Sequence, residues 1–251
     1  MIAVISDIHS NLEALEAVLT DIERRGGRRI ICLGDIVGYG PNPRECLDLV
    51  MQRCEVCVCG NHDVAVFFEP FSFNIGAERA AFWTRACLEE EPNKHIRDLR
   101  WQFLGALPVK FRGEGFLCVH GSPRKPVNEY IFADDVVSSP NKLLDIFRRL
   151  EETTCFVGHT HVPGVLLDDP YFDPPDELAE PNVFELGEQA IINVGSVGQP
   201  RDRDWRASYV LVSEEKVQFM RVKYDFEKTI AKIKAIPEID DFLGERLKEG
   251  R

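Results

Sequence analysis

The sequence lacks any long hydrophobic run and any amino-terminal targeting signal. No apolar stretch reaches the roughly 18 residues that a membrane-spanning helix requires. The chain runs from Met1 through apolar side chains to Ser6 and Asp7, without a basic segment or a cleavage site. Such a start is typical of a β-strand. We therefore expect a cytoplasmic protein with no membrane partner.

Basic residues are also few relative to acidic ones. The sequence contains 30 Lys and Arg against 42 Asp and Glu, which gives a net charge of −12. A protein this acidic gains little from the phosphate electrostatics that drive non-specific nucleic-acid binding. Duplex nucleic acid is therefore an unfavourable partner, whereas a small phosphate compound is not excluded. Nothing in the sequence indicates the oligomeric state.

The eight cysteines lack a zinc-binding pattern. Cys54, Cys57 and Cys59 form a C-x-x-C-x-C run, but no second pair follows at zinc-finger spacing. Cys57 and Cys59 alternate with valines in a predicted buried strand, where a thiol packs as a small hydrophobic group. We expect reduced thiols, as in a reducing compartment.

Strands and helices alternate in the first sixty residues. A strand over residues 2–6 precedes a helix that begins at a predicted capping box of Ser10 and Glu13 and ends at Gly26-Gly27. Further elements are predicted as a strand at 29–33, a helix at 43–53 and a strand at 55–59. This order predicts parallel strands with right-handed crossovers.

The remainder of the chain is predicted to add helices and a second group of strands. Residues 74–104 favour helix, with Trp83 and Trp101 packed inward, and a helix is expected at 141–150. Later strands are predicted at 109–111, 116–119, 155–157, 162–167, 190–194, 208–212 and 217–222. Because the last strands are consecutive, with a hairpin turn at 213–216, we expect two packed sheets rather than one.

The predicted architecture is α/β, in four α-β-β-α layers, with two mixed β-sheets flanked by helices. Neither an internal repeat nor a linker is recognisable, so we expect one domain over residues 1–251, with a surface helix from about Asp225. Residues 168–182 differ in composition, with four prolines among six acidic residues. Two interpretations of this segment stay open, a surface loop or a lid over the functional site.

Five of the six histidines lie in short polar motifs that follow apolar strands. The motifs are Asp7-Ile8-His9, Gly34-Asp35, Gly60-Asn61-His62-Asp63, His120-Gly121 and Gly158-His159-Thr160-His161. One such histidine alone would more often be structural, and His95, in a polar helical stretch, is assigned no role. In open α/β sheets, however, ligands bind beyond the carboxyl ends of the strands. Five strands that end in such motifs therefore predict one shared site.

The donor types in these motifs indicate the class of metal. They are oxygen and imidazole donors with no cysteine, which suits manganese, iron, zinc, cobalt or nickel. The donors outnumber the four that one tetrahedral ion needs. Two ions that share a bridging carboxylate, about 3.5–4 Å apart, are a common arrangement for in-line displacement at phosphorus. The motifs therefore predict a site at the carboxyl ends of the strands that holds two divalent transition-metal ions per chain, with manganese expected to support activity.

Taken in order, the motifs resemble those of the calcineurin-like metallophosphoesterase superfamily, and residues 193–201 extend the match. The resemblance implies a set of ligands for each metal. The first metal is held by Asp7, His9 and His161, the second by Asn61, His120 and His159, and both by Asp35. A hydroxide that completes the bridge would attack phosphorus, with His62 as the general acid that protonates the leaving oxygen.

Other residues near these motifs are candidates for supporting roles. Asp63 either orients the His62 imidazole or caps the start of a helix. Asn61 is also a candidate substrate contact. Arg201 is either a phosphate contact or a surface residue in a turn, and Arg124 is a second candidate for phosphate. The glycines at 195 and 198 are expected to let Ser196 or backbone N–H groups face the site.

Departures from the superfamily pattern bear on the substrate. Gly38-Tyr39-Gly40 stands where protein phosphatases and dinucleoside tetraphosphatases usually carry Asp-Arg-Gly, and Asp63 stands where protein phosphatases usually carry Glu. Both differences favour the small prokaryotic phosphoesterases and phosphodiesterases. We therefore expect hydrolysis of a small phosphomonoester or phosphodiester. The alternatives are a non-catalytic scaffold on the same fold, a dinucleoside polyphosphate or protein phosphatase, and a nuclease, which the acidity disfavours.

Overall fold

Two mixed β-sheets form the centre of the computed structural model, which describes residues 1–169 and 171–251. The strands are β1 (Ile2–Ile5), β2 (Arg29–Cys32), β3 (Val56–Cys57), β4 (Lys110–Arg112), β5 (Phe116–Val119), β6 (Thr154–Val157), β7 (Gly164–Leu167), β8 (Phe172–Asp173), β9 (Val183–Glu185), β10 (Ala190–Asn193), β11 (Ala207–Val212) and β12 (Lys216–Val222). One six-stranded sheet has the order β3-β2-β1-β11-β12-β9, and the other has the order β4-β5-β6-β10-β7-β8. Strands β1, β2 and β3 run parallel, as do β5, β6 and β10.

Helices cover the outer faces of both sheets. They are α1 (Leu12–Arg24), α2 (Pro43–Arg53), α3 (Asn61–Phe67), α4 (Ile75–Glu89), α5 (Lys94–Ala106), α6 (Asp135–Ser138), α7 (Pro140–Phe147), α8 (Phe226–Lys234) and α9 (Asp241–Glu245), followed by a 3₁₀ turn at Arg246–Glu249. In the described part of the chain, no helix has both the length and the apolar composition needed to cross a membrane.

The alternation of side chains along the strands explains the four layers. Successive side chains of a strand point to opposite faces of its sheet. Ala3 and Ile5 of β1 therefore pack with the helices around Leu15, whereas Val4 packs with Phe156 of the second sheet. The outer face of that second sheet is covered by α7 in the same way. The prediction of two packed mixed sheets with helices outside is confirmed.

The start of α1 differs from the predicted capping box. The N-cap is Asn11, whose side chain accepts a hydrogen bond from the Ala14 N–H at 3.2 Å, and the Ser10 hydroxyl has no partner in the described structure. Glu13 is unavailable as the second half of a box because its carboxylate binds Lys232 at 2.6 Å and Thr229 at 3.1 Å on α8. A tertiary contact thus replaces the local motif.

The helical stretch predicted at 74–104 is two helices, α4 and α5. The chain breaks around Pro92, which cannot continue a helix, and Asn93 caps α5 through bonds from the N–H groups of His95 and Ile96. Trp83 and Trp101 are half-buried rather than enclosed. Helix α3, which begins at the third motif, was expected only through the alternative role of Asp63 as the cap of a helix start.

The acidic, proline-rich segment contributes to a sheet edge. Its residues at 172–173 form β8, which pairs with β7, and β9 follows it on the other sheet. Pro170 lies outside the described residues, and the choice between a loop and a lid stays a prediction.

A surface helix was expected from about Asp225. Helix α8 begins there, with Asp225 as its N-cap, but one of its faces is not at the surface, because Ile230 and Ile233 are buried against Tyr39.

Candidate metal centre

The seven predicted ligands come together at one edge of the two sheets. They follow the carboxyl ends of β1, β2, β5 and β6, and Asn61 is the first residue of α3. Six of the seven are buried, with at most 4% of each residue exposed, and Asn61 is half-buried. Parallel strands deliver their carboxyl ends to the same edge, which explains why positions 154 residues apart in sequence meet here (Asp7 and His161).

One group of donors consists of Asp7, His9 and His161. The Nε2 atoms of the two histidines are 3.2 Å apart. The Asp7 Oδ1 atom lies 3.2 Å from His161 Nε2 and 3.7 Å from His9 Nε2. This oxygen is buried and has no hydrogen-bond partner in the described structure, whereas Oδ2 accepts the His159 N–H at 3.0 Å. The first group therefore presents three donor atoms to one small volume.

The second group consists of His120, His159 and Asn61. The His120 Nε2 atom is 3.0 Å from His159 Nδ1 and 3.2 Å from Asn61 Oδ1. Asp35 lies between the two groups, because its Oδ2 is 3.3 Å from His120 Nε2 and 3.7 Å from His9 Nε2. Asp35 is thus placed where a carboxylate can contact ions in both groups.

Backbone carbonyls fix the orientation of three imidazoles. The Nδ1 atoms of His9, His120 and His161 face the carbonyl oxygens of Val37 (3.2 Å), Leu33 (3.0 Å) and Gln199 (2.6 Å). A carbonyl only accepts, so each Nδ1 must donate its proton. In the neutral ring the Nε2 lone pair then points into the site, as in metal-binding histidines with a hydrogen-bonded second nitrogen. The facing Nε2 atoms of His9 and His161 would repel each other without a cation between them.

The charges in the site also favour a cation. Burial would raise the pKa values of Asp7 and Asp35, but the surrounding histidines, chiefly His161 at Asp7 and His120 at Asp35, hold both well below the usual range. Burial would lower the pKa of His120, but the carboxylates of Asp35 and then Asp7 raise it to about 10. Burial and then His120 lower the pKa of His159 to about 3. Two ionised carboxylates thus hold positive charge at the centre of the cluster, and the donor set fits divalent ions.

Five of the seven predicted ligands have strained backbone conformations. Asp7, His9, Asp35, His159 and His161 have φ values between 48° and 68°, in the left-handed region that few residues other than glycine adopt. Each such conformation costs on the order of 1 kcal/mol or more and persists where the surroundings enforce it. The loops enforce it on one another, since the N–H groups of Asp7 and His9 donate to the carbonyls of Gly34 (3.0 Å) and Asp35 (2.9 Å).

Two glycines allow the loops to approach this closely. Gly34 has φ +95°, and a Cβ there would collide with the Gly60 backbone. At Gly158, a Cβ would collide with the hydroxyl of Ser6 and the carboxylate of Asp7. Glycine is required at both positions because backbone or side-chain atoms of the facing loop occupy the place of a Cβ.

His62 is buried beside the first group of donors. One of its ring nitrogens lies within 4.8 Å of donor atoms of His9 and Asp35, and its Nδ1 has no hydrogen-bond partner in the described structure. Its ring packs against Tyr39 at 4.3 Å and Phe73 at 4.6 Å between centroids. Burial lowers the pKa of His62 well below its usual range, so the ring is neutral unless a bound anion favours its protonated form.

Asp63 makes the contacts of a cap rather than those of a partner for His62. Its Oδ2 accepts the N–H groups of Asp35 (2.8 Å) and Gly60 (2.9 Å), and its Oδ1 accepts those of Ile36 (3.0 Å) and Val37 (3.4 Å). These four amides occupy both oxygens, and the described structure contains no hydrogen bond from Asp63 to the His62 ring. The expectation that Asp63 orients His62 is therefore not supported by the geometry, because the carboxylate is used to hold the Asp35 loop.

The two candidate arginines differ in their surroundings. Arg201 is half-buried, donates to the Gln199 side chain at 2.8 Å and lies 5.9 Å from the centre of the Tyr39 ring. Its Nε is buried without a partner in the described structure. Arg124 instead binds two carboxylates, those of Glu129 and Asp145, each at 2.7 Å. Arg201 is therefore the better placed of the two to contact a phosphate.

Supporting residues after β10 were not identified correctly from the sequence. The Ser196 hydroxyl donates to the Asp7 carbonyl at 2.8 Å and accepts the Gln199 N–H, so it ties loops together instead of facing the site. Asn193 donates to the Gly158 carbonyl at 2.7 Å and to the Thr160 hydroxyl at 2.8 Å. The sequence signals for these residues are the family resemblance over residues 193–201 and their position at the end of a buried strand and just after it.

Comparisons with known proteins identify the family to which this chain belongs. A family model described as calcineurin-like phosphoesterase matches residues 1–163. An uncharacterised protein of Methanocaldococcus jannaschii is 40% identical over 261 residues, which cover 100% of this chain and 98% of that protein.

Two solved structures are similar to this chain over its whole length. The crystal structure of a metallophosphoesterase from Sphaerobacter thermophilus superposes with a TM-score of 0.83 at 37% identity, over 100% of this chain and 99% of that one. A hypothetical protein from Pyrococcus horikoshii superposes with a TM-score of 0.76 at 20% identity, again over 100% and 99% of the two chains, and supports the fold alone.

Proposed function

This chain belongs to the calcineurin-like phosphoesterase family, and we propose that it hydrolyses small phosphomonoesters or phosphodiesters with two divalent transition-metal ions. The observation that carries the proposal is the pair of facing Nε2 atoms of His9 and His161, 3.2 Å apart, beside the unpartnered Oδ1 of Asp7. Buried polar atoms are seldom left without partners in folded proteins, and a bound cation would satisfy all three.

The donor groups suggest how two ions would be shared. Asp7, His9 and His161 would hold the first ion, and Asn61, His120 and His159 would hold the second. Asp35 would contact both, since its Oδ2 lies between the groups. When bound, the ions would activate a water molecule as nucleophile and neutralise negative charge on the phosphate oxygens, and manganese is the ion that we expect to support activity.

The remaining roles belong to side chains around these donors. The His62 imidazole would donate a proton to the leaving oxygen, and Tyr39 and Phe73 would hold its ring in place. The Arg201 guanidinium would bind a phosphate oxygen, assisted by the Asn61 side chain. Because burial keeps His62 neutral on its own, we expect the negative charge of the bound phosphate to favour the imidazolium that acts as acid.

Metal content tests the binuclear site directly. Elemental analysis of protein purified without chelator and supplied with manganese should give about two ions per chain. Asp35→Asn should weaken the binding of both ions, whereas His161→Ala should mainly affect one. A content of one ion or none after manganese is added would contradict the binuclear site.

Leaving-group dependence tests the role of His62. His62→Ala should retain its metal, and its turnover of an alkyl phosphate should fall by about 10²–10⁴-fold, the usual effect of a positioned acid. A nitrophenyl ester needs less protonation and should lose less. His159→Ala is the matched histidine control, because loss of a ligand should remove metal and activity together. Undiminished turnover of both substrates by His62→Ala would rule out the role of general acid.

A further inference from the structure

A pocket of about 320 Å³ opens directly beside the second group of donors. Asn61 and His159 form its inner wall, and three aromatic side chains (Phe71, Phe73 and Tyr130) form much of the remainder. We call these three residues and the space between them the aromatic pocket. Its volume lies at the lower end of the range of small-molecule sites, about 300–1,000 Å³.

One wall of the aromatic pocket is built on a ligand histidine. The Tyr130 ring is stacked on the His159 imidazole, with centroids 3.7 Å apart and planes at 17°. Phe132 is stacked on Tyr130 in turn, at 5.2 Å and 6°. The Nε2 of His159 is buried and has no partner in the described structure. This wall is therefore a set of parallel rings that begins at the candidate metal site and reaches solvent, where Tyr130 is 40% exposed.

The other wall comes from the loop between α3 and α4. Phe71 is 87% exposed, although it is a large apolar side chain next to a polar site. Phe73, two residues later, contacts the His62 ring at 4.6 Å between centroids. Exposed apolar side chains that cluster beside a polar site are typical of a ligand-binding surface. The contact with His62 also places the pocket on the side where the leaving oxygen would receive its proton.

The charge of the pocket limits what it can bind. Among its lining residues in the described part of the chain there is no Lys or Arg, the His159 imidazole is neutral, and the one charged member is Glu69. A carboxylate at the rim disfavours a further phosphate group, whereas aromatic rings favour an uncharged planar group. The cation Arg201 lies instead beside Tyr39. The site thus has a cationic side for phosphate oxygens and an aromatic side.

We infer that the aromatic pocket binds the leaving group of the substrate and that this group is an uncharged alcohol with a planar ring of nucleobase size, such as a nucleoside. The term leaving group rests on the proposed phosphoesterase function, whereas binding of the ring does not. A ring between Phe71 and Tyr130 would stack on aromatic surface before and during the reaction. Such uniform binding lowers KM and leaves kcat nearly unchanged.

The first test compares adenosine 5′-phosphate with ribose 5-phosphate, which lacks the base, on the manganese-loaded protein. Loss of one base–aromatic stack weakens binding by about 5- to 100-fold. The wild type should therefore prefer the nucleotide in kcat/KM by about this factor. Phe71→Ala should raise KM for the nucleotide but not for ribose 5-phosphate, with kcat nearly unchanged. Phe71→Trp should return KM for the nucleotide to near the wild-type value. Phe242→Ala, which removes a ring that is 58% exposed on α9 outside the pocket, should behave as wild type.

The second test separates the pocket from the catalytic proposal. Binding of adenosine and of ribose is measured by NMR titration of the manganese-free protein, where no turnover occurs. Adenosine should bind more tightly than ribose, and Phe71→Ala should weaken adenosine by about 5- to 100-fold. If no phosphate ester is turned over but this binding pattern holds, the proposed function fails and the pocket stands. If phosphate esters are turned over but adenosine binds no better than ribose, or Phe71→Ala has no effect, the inference is wrong and the proposed function stands.

Discussion

The sharpest structural prediction concerns Asp63, because its two possible roles give opposite results in one variant. Asp63→Asn preserves the shape of the side chain but replaces one acceptor oxygen with an amino group. The remaining oxygen can keep the shorter pair of hydrogen bonds, from the N–H groups of Asp35 (2.8 Å) and Gly60 (2.9 Å). The amino group then faces the N–H groups of Ile36 (3.0 Å) and Val37 (3.4 Å), donor against donor.

The expected destabilisation follows from those two amides. A buried donor left unsatisfied costs about 1–3 kcal/mol. The Ile36 amide should contribute most of this, because the bond of the Val37 amide is already long. We therefore expect Asp63→Asn to lower the free energy of unfolding by about 2–4 kcal/mol. For a chain of this length that corresponds to a decrease in Tm of about 5–15 °C.

Urea unfolding in the presence of a chelator is the suitable assay, since bound metal would add stability by mass action. Asp134→Asn is a matched control, because Asp134 is exposed and makes no cap hydrogen bond, so its change should stay within about 0.5 kcal/mol. If Asp63→Asn displaces Asp35, the turnover of substrates with good leaving groups and of those with poor leaving groups should fall equally. Unchanged stability of Asp63→Asn, together with a loss confined to poor leaving groups, would refute the cap role and restore Asp63 as the partner of His62.

The remaining predictions concern phosphate binding and acid stability. Arg201→Ala should lower kcat/KM by about 10- to 100-fold, as expected for the loss of one charged hydrogen bond. Arg124→Ala should change kcat/KM by less than about 3-fold, because the Arg124 guanidinium already binds Glu129 and Asp145. Equal losses in the two variants would contradict this assignment. Asp21 accepts from the Tyr209 hydroxyl at 2.9 Å and from Arg25 at 2.7 Å, and although burial opposes it, these bonds lower its pKa. An aspartate whose pKa is lower in the folded state than in the unfolded state stabilises the protein at pH values above its unfolded pKa of about 3.9. This contribution decreases as the pH falls below that value. Urea titrations of Asp21→Asn should therefore show a deficit of about 1–2 kcal/mol at pH 7 that shrinks below pH 4, and a deficit independent of pH would contradict the ion-pair explanation.

The sequence predicted which side chains come together at this edge because most of them directly follow an apolar strand. The transition from Ile5 to Asp7, or from Val119 to His120, is visible in the sequence itself, and the parallel order of the strands brings such ends together. Topology therefore did not need to be known in detail for the site to be located. The same reasoning located β11 and β12, whose apolar alternation and turn at 213–216 define the hairpin.

Contacts made by side chains with distant backbone were not predictable in this way. Three of the four amide partners of Asp63 lie 26–28 residues earlier in the chain, and no local pattern reveals these contacts of a carboxylate that could equally orient the neighbouring imidazole. Glu13 illustrates the same limit, because Lys232 and Thr229 on α8 compete for the carboxylate that a local capping box would need. The aromatic pocket has no sequence signal either, since Phe71 and Tyr130 come from separate loops without a motif.

The two parts of the site differ in how tightly the fold holds them, and this difference bears on substrate choice. The loops that carry the predicted ligands are held by buried hydrogen bonds between backbone groups and the side chains of Asp63, Asn193 and Ser196, together with backbone bonds between the loops. These contacts maintain the strained φ values of five of the predicted ligands. Phe71 is instead largely exposed, and its removal leaves no buried group unpaired. Changes at Phe71 should therefore alter the preference among leaving groups with little loss of stability, whereas changes in the ligand loops should reduce stability and metal binding together. The same metal chemistry could in this way serve different phosphate esters through substitutions confined to the aromatic pocket.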